Sequence, residues 1–118
     1  HAMLFYRFLL NNEEKVTLEA VEAPKTDAEG DSGILAEGLK HEKYVTALIN
    51  DIYAAAYSVK DFRTMQFLDW FVKEQGEEET NASDLIKKMQ LFGSDPKGLY
   101  MLDQELAGRT YAAPSLTL

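Results

Sequence analysis

Two long stretches of helix-forming sequence, roughly 33–59 and 61–92, are separated by no more than the tight turn Lys60-Asp61, and this restricts the chain more than anything else in it. At 1.5 Å rise per residue they correspond to helices of about 40 and 48 Å. Helices of that length joined by so short a link lie antiparallel as a hairpin. Each carries one stripe of residues at alternating spacings of three and four. In the first the stripe is Leu35, Gly38, Glu42, Val45, Ile49, Ile52 and Ala56. In the second it is Leu68, Phe71, Gln75, Glu78, Ala82, Leu85 and Met89.

The polar members of these stripes carry the chemical information. Glu42, Gln75 and Glu78 stand where a plain helical bundle puts leucine, and an unpaired carboxylate inside a protein costs several kcal/mol. Neither stripe offers a lysine or arginine to neutralise them, so a metal ion held by oxygen ligands is the simplest compensating charge. Gln75 and Glu78 are three residues apart and adjoin on one helix face. Carboxylate, amide and imidazole ligands suit iron or manganese better than a soft-ligand metal. The run Glu74, Glu77, Glu78 and Glu79 adds oxygen nearby and raises the local cation concentration.

A plainer reading stands beside this one. Glutamates on a long helix commonly form a solvated face, which is the expectation for Glu79 and an even alternative for Glu77. A shift of helical phase by one residue would move Glu42 into the solvated stretch Lys40-His41-Glu42-Lys43. His41 is expected at the surface, and Tyr44, Phe67 and Trp70 as packing residues.

The flanks are shorter. Ala2 to Leu10 is apolar and helix-favouring, and halts at Asn11-Asn12, which favour turns. Residues 11–32 show no sustained helical period, and Pro24 and Gly30 mark a long connection of the kind that crosses along a bundle. Val16, Leu18 and Val21 suggest a short strand within it. The tail 109–118, rich in Ala, Thr, Ser and Pro, reads as a segment without order of its own. The sequence opens on His1 rather than methionine, so an upstream segment is expected, with His1-Ala2 before Met3 as a cloning scar the alternative.

A net charge of −8 argues against a nucleic-acid partner, because that affinity rests on Lys and Arg neutralising phosphates. No apolar run approaches the roughly 20 residues that span a bilayer, so no membrane partner is expected. With no cysteine there is neither a disulfide framework nor a thiolate site, which suits a cytoplasmic location.

The same residues carry a family resemblance. His1-Ala2-Met3-Leu4-Phe5-Tyr6, His41-Glu42, the run from Phe67 through Trp70 and Gln75 to Glu79, and Gly98-Leu99-Tyr100-Met101-Leu102-Asp103 occur in order and resemble the bacterial non-haem ferritin pattern. The resemblance implies an all-α, ferritin-like four-helix bundle. Residues 1–10 would be the end of its second helix, 11–32 the crossover, 33–59 the third helix, 61–92 the fourth and 96–108 the short fifth. It implies non-haem iron, Fe2+ and Fe3+, with oxidation of ferrous iron by dioxygen or peroxide and storage of ferric mineral. By the same resemblance His1 closes the Glu-x-x-His motif and ligates the first iron, and Glu42 serves the second. Gln75 stands beside the dinuclear centre, Glu78 binds it or a third iron, and Glu74 and Glu77 complete the third-site cluster. The family's first helix and its ligand glutamate have no counterpart in the sequence, so a single copy is expected to need further helices. Self-association into the family's 24-subunit cage is one expectation. A non-catalytic dimer of hairpins with weak or no metal binding is the other.

Overall fold

The computed structural model describes residues 1–118 and contains four helices and no strand: α1 (Ala2–Asn11), α2 (Gly30–Ser58), α3 (Phe62–Phe92) and α4 (Pro96–Ala107). The residues form two compact units, one of 1–26 with 110–118 and one of 27–109. The C-terminal tail, expected to lack order, belongs to the first of these.

In the first unit α1 ends where its asparagines predict. The Asn12 side chain donates to the Phe8 carbonyl at 2.7 Å, and Glu13 turns the chain with a φ of 61°. The Glu14 amide then closes the turn on the Leu9 carbonyl at 2.9 Å. The short strand expected from Val16 to Val21 does not form. A strand needs a neighbouring edge to satisfy its backbone, and this segment runs without a ladder, with Leu18 and Val21 exposed.

The second unit is the helical hairpin with α4 against its second arm. Helix α2 starts at Gly30, three residues before the expected start, because Gly30 takes a φ of 63° that reverses the chain directly into the first turn. At its far end Lys60 adopts a left-handed φ of 59°. The Asp61 amide reaches back to the Ala56 carbonyl at 2.9 Å and that of Lys60 to Tyr57 at 3.1 Å, the paired closure of a Schellman motif. Asp61 then caps α3 by accepting from the Thr64 amide at 3.1 Å, so one residue ends the turn and starts the next helix. Asp95 repeats the device for α4, accepting from the Gly98 amide at 2.8 Å with Pro96 opening the helix. A β-carbon on Gly98 would lie 2.6 Å from the Phe92 carbonyl oxygen, so only glycine lets α4 fold back this closely. The Lys88 and Glu105 side chains join α3 to α4.

The stripe of α2 that meets α3 differs from the expected one. Ile49 and Ala56 are buried and Leu35, Glu42 and Val45 half-buried, as expected, but Gly38 is exposed and Ile52 is 44% exposed. The half-buried partners between them are Leu39, Thr46 and Tyr53. Both patterns share the seven-residue repeat 35, 42, 49, 56; around Gly38 and Ile52 the covered residue is the next one along, about 100° around the helix, whereas Val45 and Thr46 are covered alike. Helix α2 is apolar on both sides of that line. Ile34, Leu48 and Ile52 form a second apolar edge that remains exposed.

Candidate metal centre

Near the hairpin turn the interface is dry. Phe67, Leu68 and Phe71 of α3 pack with Ile49 and Ala56 of α2 in the core, and Trp70 meets Phe71 edge-on at 4.9 Å between centroids. One turn beyond Phe71 the chemistry changes. Gln75 is 2% exposed, the one polar side chain in the buried core. Its Nε2 donates across the hairpin to the Glu42 carbonyl at 3.1 Å, to Glu42 Oε2 at 3.2 Å and to Thr46 Oγ1 at 3.3 Å. The Thr46 hydroxyl in turn donates to the Glu42 carbonyl at 3.0 Å. A buried amide is thus tied to a carboxylate of the facing helix, and the phase that leaves Glu42 on a solvated face is not the one adopted.

Glu78 follows on the next turn of α3, half-buried. Its carboxyl is pushed above the ordinary glutamate value, first by burial and then by the charges of Glu42 and Glu74, with Glu77 adding a smaller push; Arg109 acts in the opposite direction. Like charges held close in a partly desolvated place disfavour ionisation unless a cation joins them. Glu74 is half-buried on the same helix. Glu77 points elsewhere: it is exposed and pairs with Lys73 at 3.8 Å. Glu79 is half-buried rather than fully solvated, and His41 is exposed, its ring 6.3 Å from that of Tyr44. His1 belongs to the other unit, where it caps α1 and its carbonyl accepts from the Leu4 amide at 2.9 Å. No three His, Asp or Glu side chains converge in this conformation into a set that could hold a metal ion.

Sequence reasoning missed Thr46 and Arg109. Thr46 was discernible as a hydroxyl one turn after a stripe glutamate, the position from which it reaches that residue's carbonyl. Nothing in the sequence marks Arg109, which acts on Glu78 only because α4 folds back along α3.

Residues 1–92 match the family model of the ferritin-like domain. The chain belongs to the ferritin family. Among curated relatives it is 33% identical over 107 residues to the bacterial non-heme ferritin of Escherichia coli O6:H1, covering 91% of this chain and 65% of that one. A probable bacterial non-heme ferritin-like protein of Haemophilus influenzae is 30% identical over 106 residues, covering 90% and 64%. The chain therefore spans a little under two thirds of the length of these ferritins. Among solved structures, a closed form of the Archaeoglobus fulgidus ferritin engineered by site-directed mutagenesis superposes with a TM-score of 0.92 at 37% identity, covering 95% of this chain and 68% of that one. The open-pore ferritin of the same archaeon gives 0.90 at 37% identity, covering 93% and 68%. The fold is the all-α ferritin-like bundle, and the polar interruption of the hairpin core lies within the matched residues.

Proposed function

We propose that this chain serves in iron storage, oxidising ferrous iron at a carboxylate and amide centre between α2 and α3. The observation that carries the reading is Gln75, buried to 2% exposure and bonded to Glu42 across the hairpin, with the crowded carboxylate of Glu78 one turn away. Such a cluster exchanges apolar burial for polar contacts of small net worth to a core, whereas oxygen ligands of this kind suit iron. Ferrous iron is the substrate, each ion giving one electron to dioxygen or peroxide, and the ferric product is what is stored. In this reading Glu42, Gln75 and Glu78 hold iron, and Glu74 and Glu77 extend the site.

The exposed second edge of α2 at Ile34, Leu48 and Ile52 supports completion of the bundle by further helices and self-association into a cage. No helix is long and apolar enough to cross a membrane. The lack of cysteine fits work in the cytoplasm. The test is anaerobic loading with ferrous ion followed by oxygen, read as ultraviolet absorbance of the ferric product, with particle mass measured by light scattering. Oxidation that depends on Glu78 in an assembly of cage size is the expected result. A dimer that neither binds nor oxidises ferrous iron overturns the reading.

A further inference from the structure

Gln75 has two amide hydrogens and three acceptors within reach, namely the Glu42 carbonyl, Glu42 Oε2 and Thr46 Oγ1. All three act as acceptors toward it, because the hydroxyl proton of Thr46 is already committed to the Glu42 carbonyl. The amide nitrogen must therefore face α2, and one acceptor is surplus. A surplus acceptor matters here because one of the three, the Glu42 carboxylate, belongs to a half-buried side chain that the reading above sends to a cation. When it leaves, the two hydrogens still meet two acceptors, the Glu42 carbonyl and Thr46 Oγ1. Without the hydroxyl, the same departure strands an N–H in a place almost closed to water, which is costly.

We propose that Thr46 is a positioning residue that keeps the Gln75 amide bonded when the Glu42 carboxylate leaves it for a ferrous ion. The inference rests on the proposed iron chemistry for the identity of the cation, but not for the hydrogen-bond handover itself. Thr46 touches no iron. The bond from Gln75 to Thr46 is the longest of the three at 3.3 Å, as suits an acceptor in reserve.

The handover is tested without metal by a double-mutant cycle on the full chain, with Glu42→Ala standing for the departed carboxylate. Glu42→Ala and Thr46→Val each leave two acceptors for two hydrogens. The pair leaves one, and its unfolding equilibrium is expected to shift about tenfold beyond the product of the single effects. A pair that fails to fold while both single variants fold is the same result in stronger form. Additive effects overturn the proposal. Anaerobic titration with ferrous ion supplies the second readout: Thr46→Val is expected to bind about tenfold more weakly than the unaltered chain, and Thr46→Ser to restore binding. Equal binding by Thr46→Val overturns the proposal while leaving the iron reading intact. An unaltered chain that takes up no ferrous ion overturns that reading and the role of iron in the handover, whereas the cycle still decides whether Thr46 backs up Glu42.

Discussion

The two halves of the α2–α3 hairpin are built on the same repeat and do opposite work. Next to the turn, Ile49 and Ala56 close on Phe67, Leu68 and Phe71, with Leu68 fully enclosed. Beyond Phe71 the same stripe continues through Gln75 and Glu78 against Glu42, and burial falls from complete to partial. The dry half holds two long helices in register, and the polar half uses that register to bring a carboxylate and an amide within 3.2 Å across the interface. A polar cluster of this kind is poor adhesive, since it exchanges hydrophobic burial for hydrogen bonds of small net worth. Its existence depends on the other half being stable enough to carry it.

The comparison breaks most visibly in the dry half. Phe71→Ala removes a ring that is 1% exposed and packed against both Phe67 and Trp70, and is expected to cost about 3–5 kcal/mol. Urea unfolding followed by circular dichroism measures it. A loss below about 1 kcal/mol would mean that this end is not the anchor.

In the polar half stability and function should separate. Gln75→Leu replaces a buried amide by an apolar group of similar size, and its former partners are partly exposed and regain water. Stability is expected to change by no more than about 1 kcal/mol, while ferrous oxidation falls sharply. A variant that unfolds as easily as Phe71→Ala would show Gln75 to be an anchor as well.

Glu78 sharpens the contrast through pH. Its folded carboxyl titrates above the ordinary value of 4.5, chiefly because of burial and then because of Glu42 and Glu74. Below that value the group is protonated in folded and unfolded chains alike and contributes nothing. As pH rises through the window, the unfolded chain releases its proton first, so stability declines until the folded carboxyl has also ionised. Melting temperature should therefore drop with rising pH from about 4.5 upward, and Glu78→Gln should flatten the slope. An unchanged slope would assign it to other carboxylates.

The hairpin was legible in the sequence because its two signals, long periodic stretches and an intervening break, are local. The polar interruptions were legible for the same reason, since Glu42, Gln75 and Glu78 fall on the apolar stripes at local spacings of three and four, although for Glu42 a one-residue error in phase would have hidden it. What could not be read was the side of α2 that faces α3. Gly38 and Leu39, or Ile52 and Tyr53, are equally acceptable to the helical period, and the choice is made by the partner's shape. In a chain apolar on both sides of the line, periodicity cannot distinguish the covered edge from the open one. The strand suggested by Val16, Leu18 and Val21 failed for a related reason, since β-propensity describes how well a residue fits a sheet and supplies no sheet. Arg109 illustrates the remaining gap: its effect on Glu78 spans two helices and a turn.

The smallest expected effect lies at the rim, where Tyr53 donates to Asp69 at 2.9 Å on the exposed side of the dry half. The bond to Asp69 raises the phenol above its ordinary value of 10.0, so any stability it contributes is present below that pH and lost as pH climbs through the folded value. Tyr53→Phe should leave melting at neutral pH almost unchanged and remove the loss above pH 10. Asp69 lies six residues from Gln75, about 9 Å along α3, so ferrous oxidation should be untouched. This makes the weakest substitution a demanding test of the division. If removing one exposed hydroxyl from the dry half altered oxidation, the register of the hairpin would itself be adjustable, and the polar centre would be tuned by the rim rather than merely carried by the core.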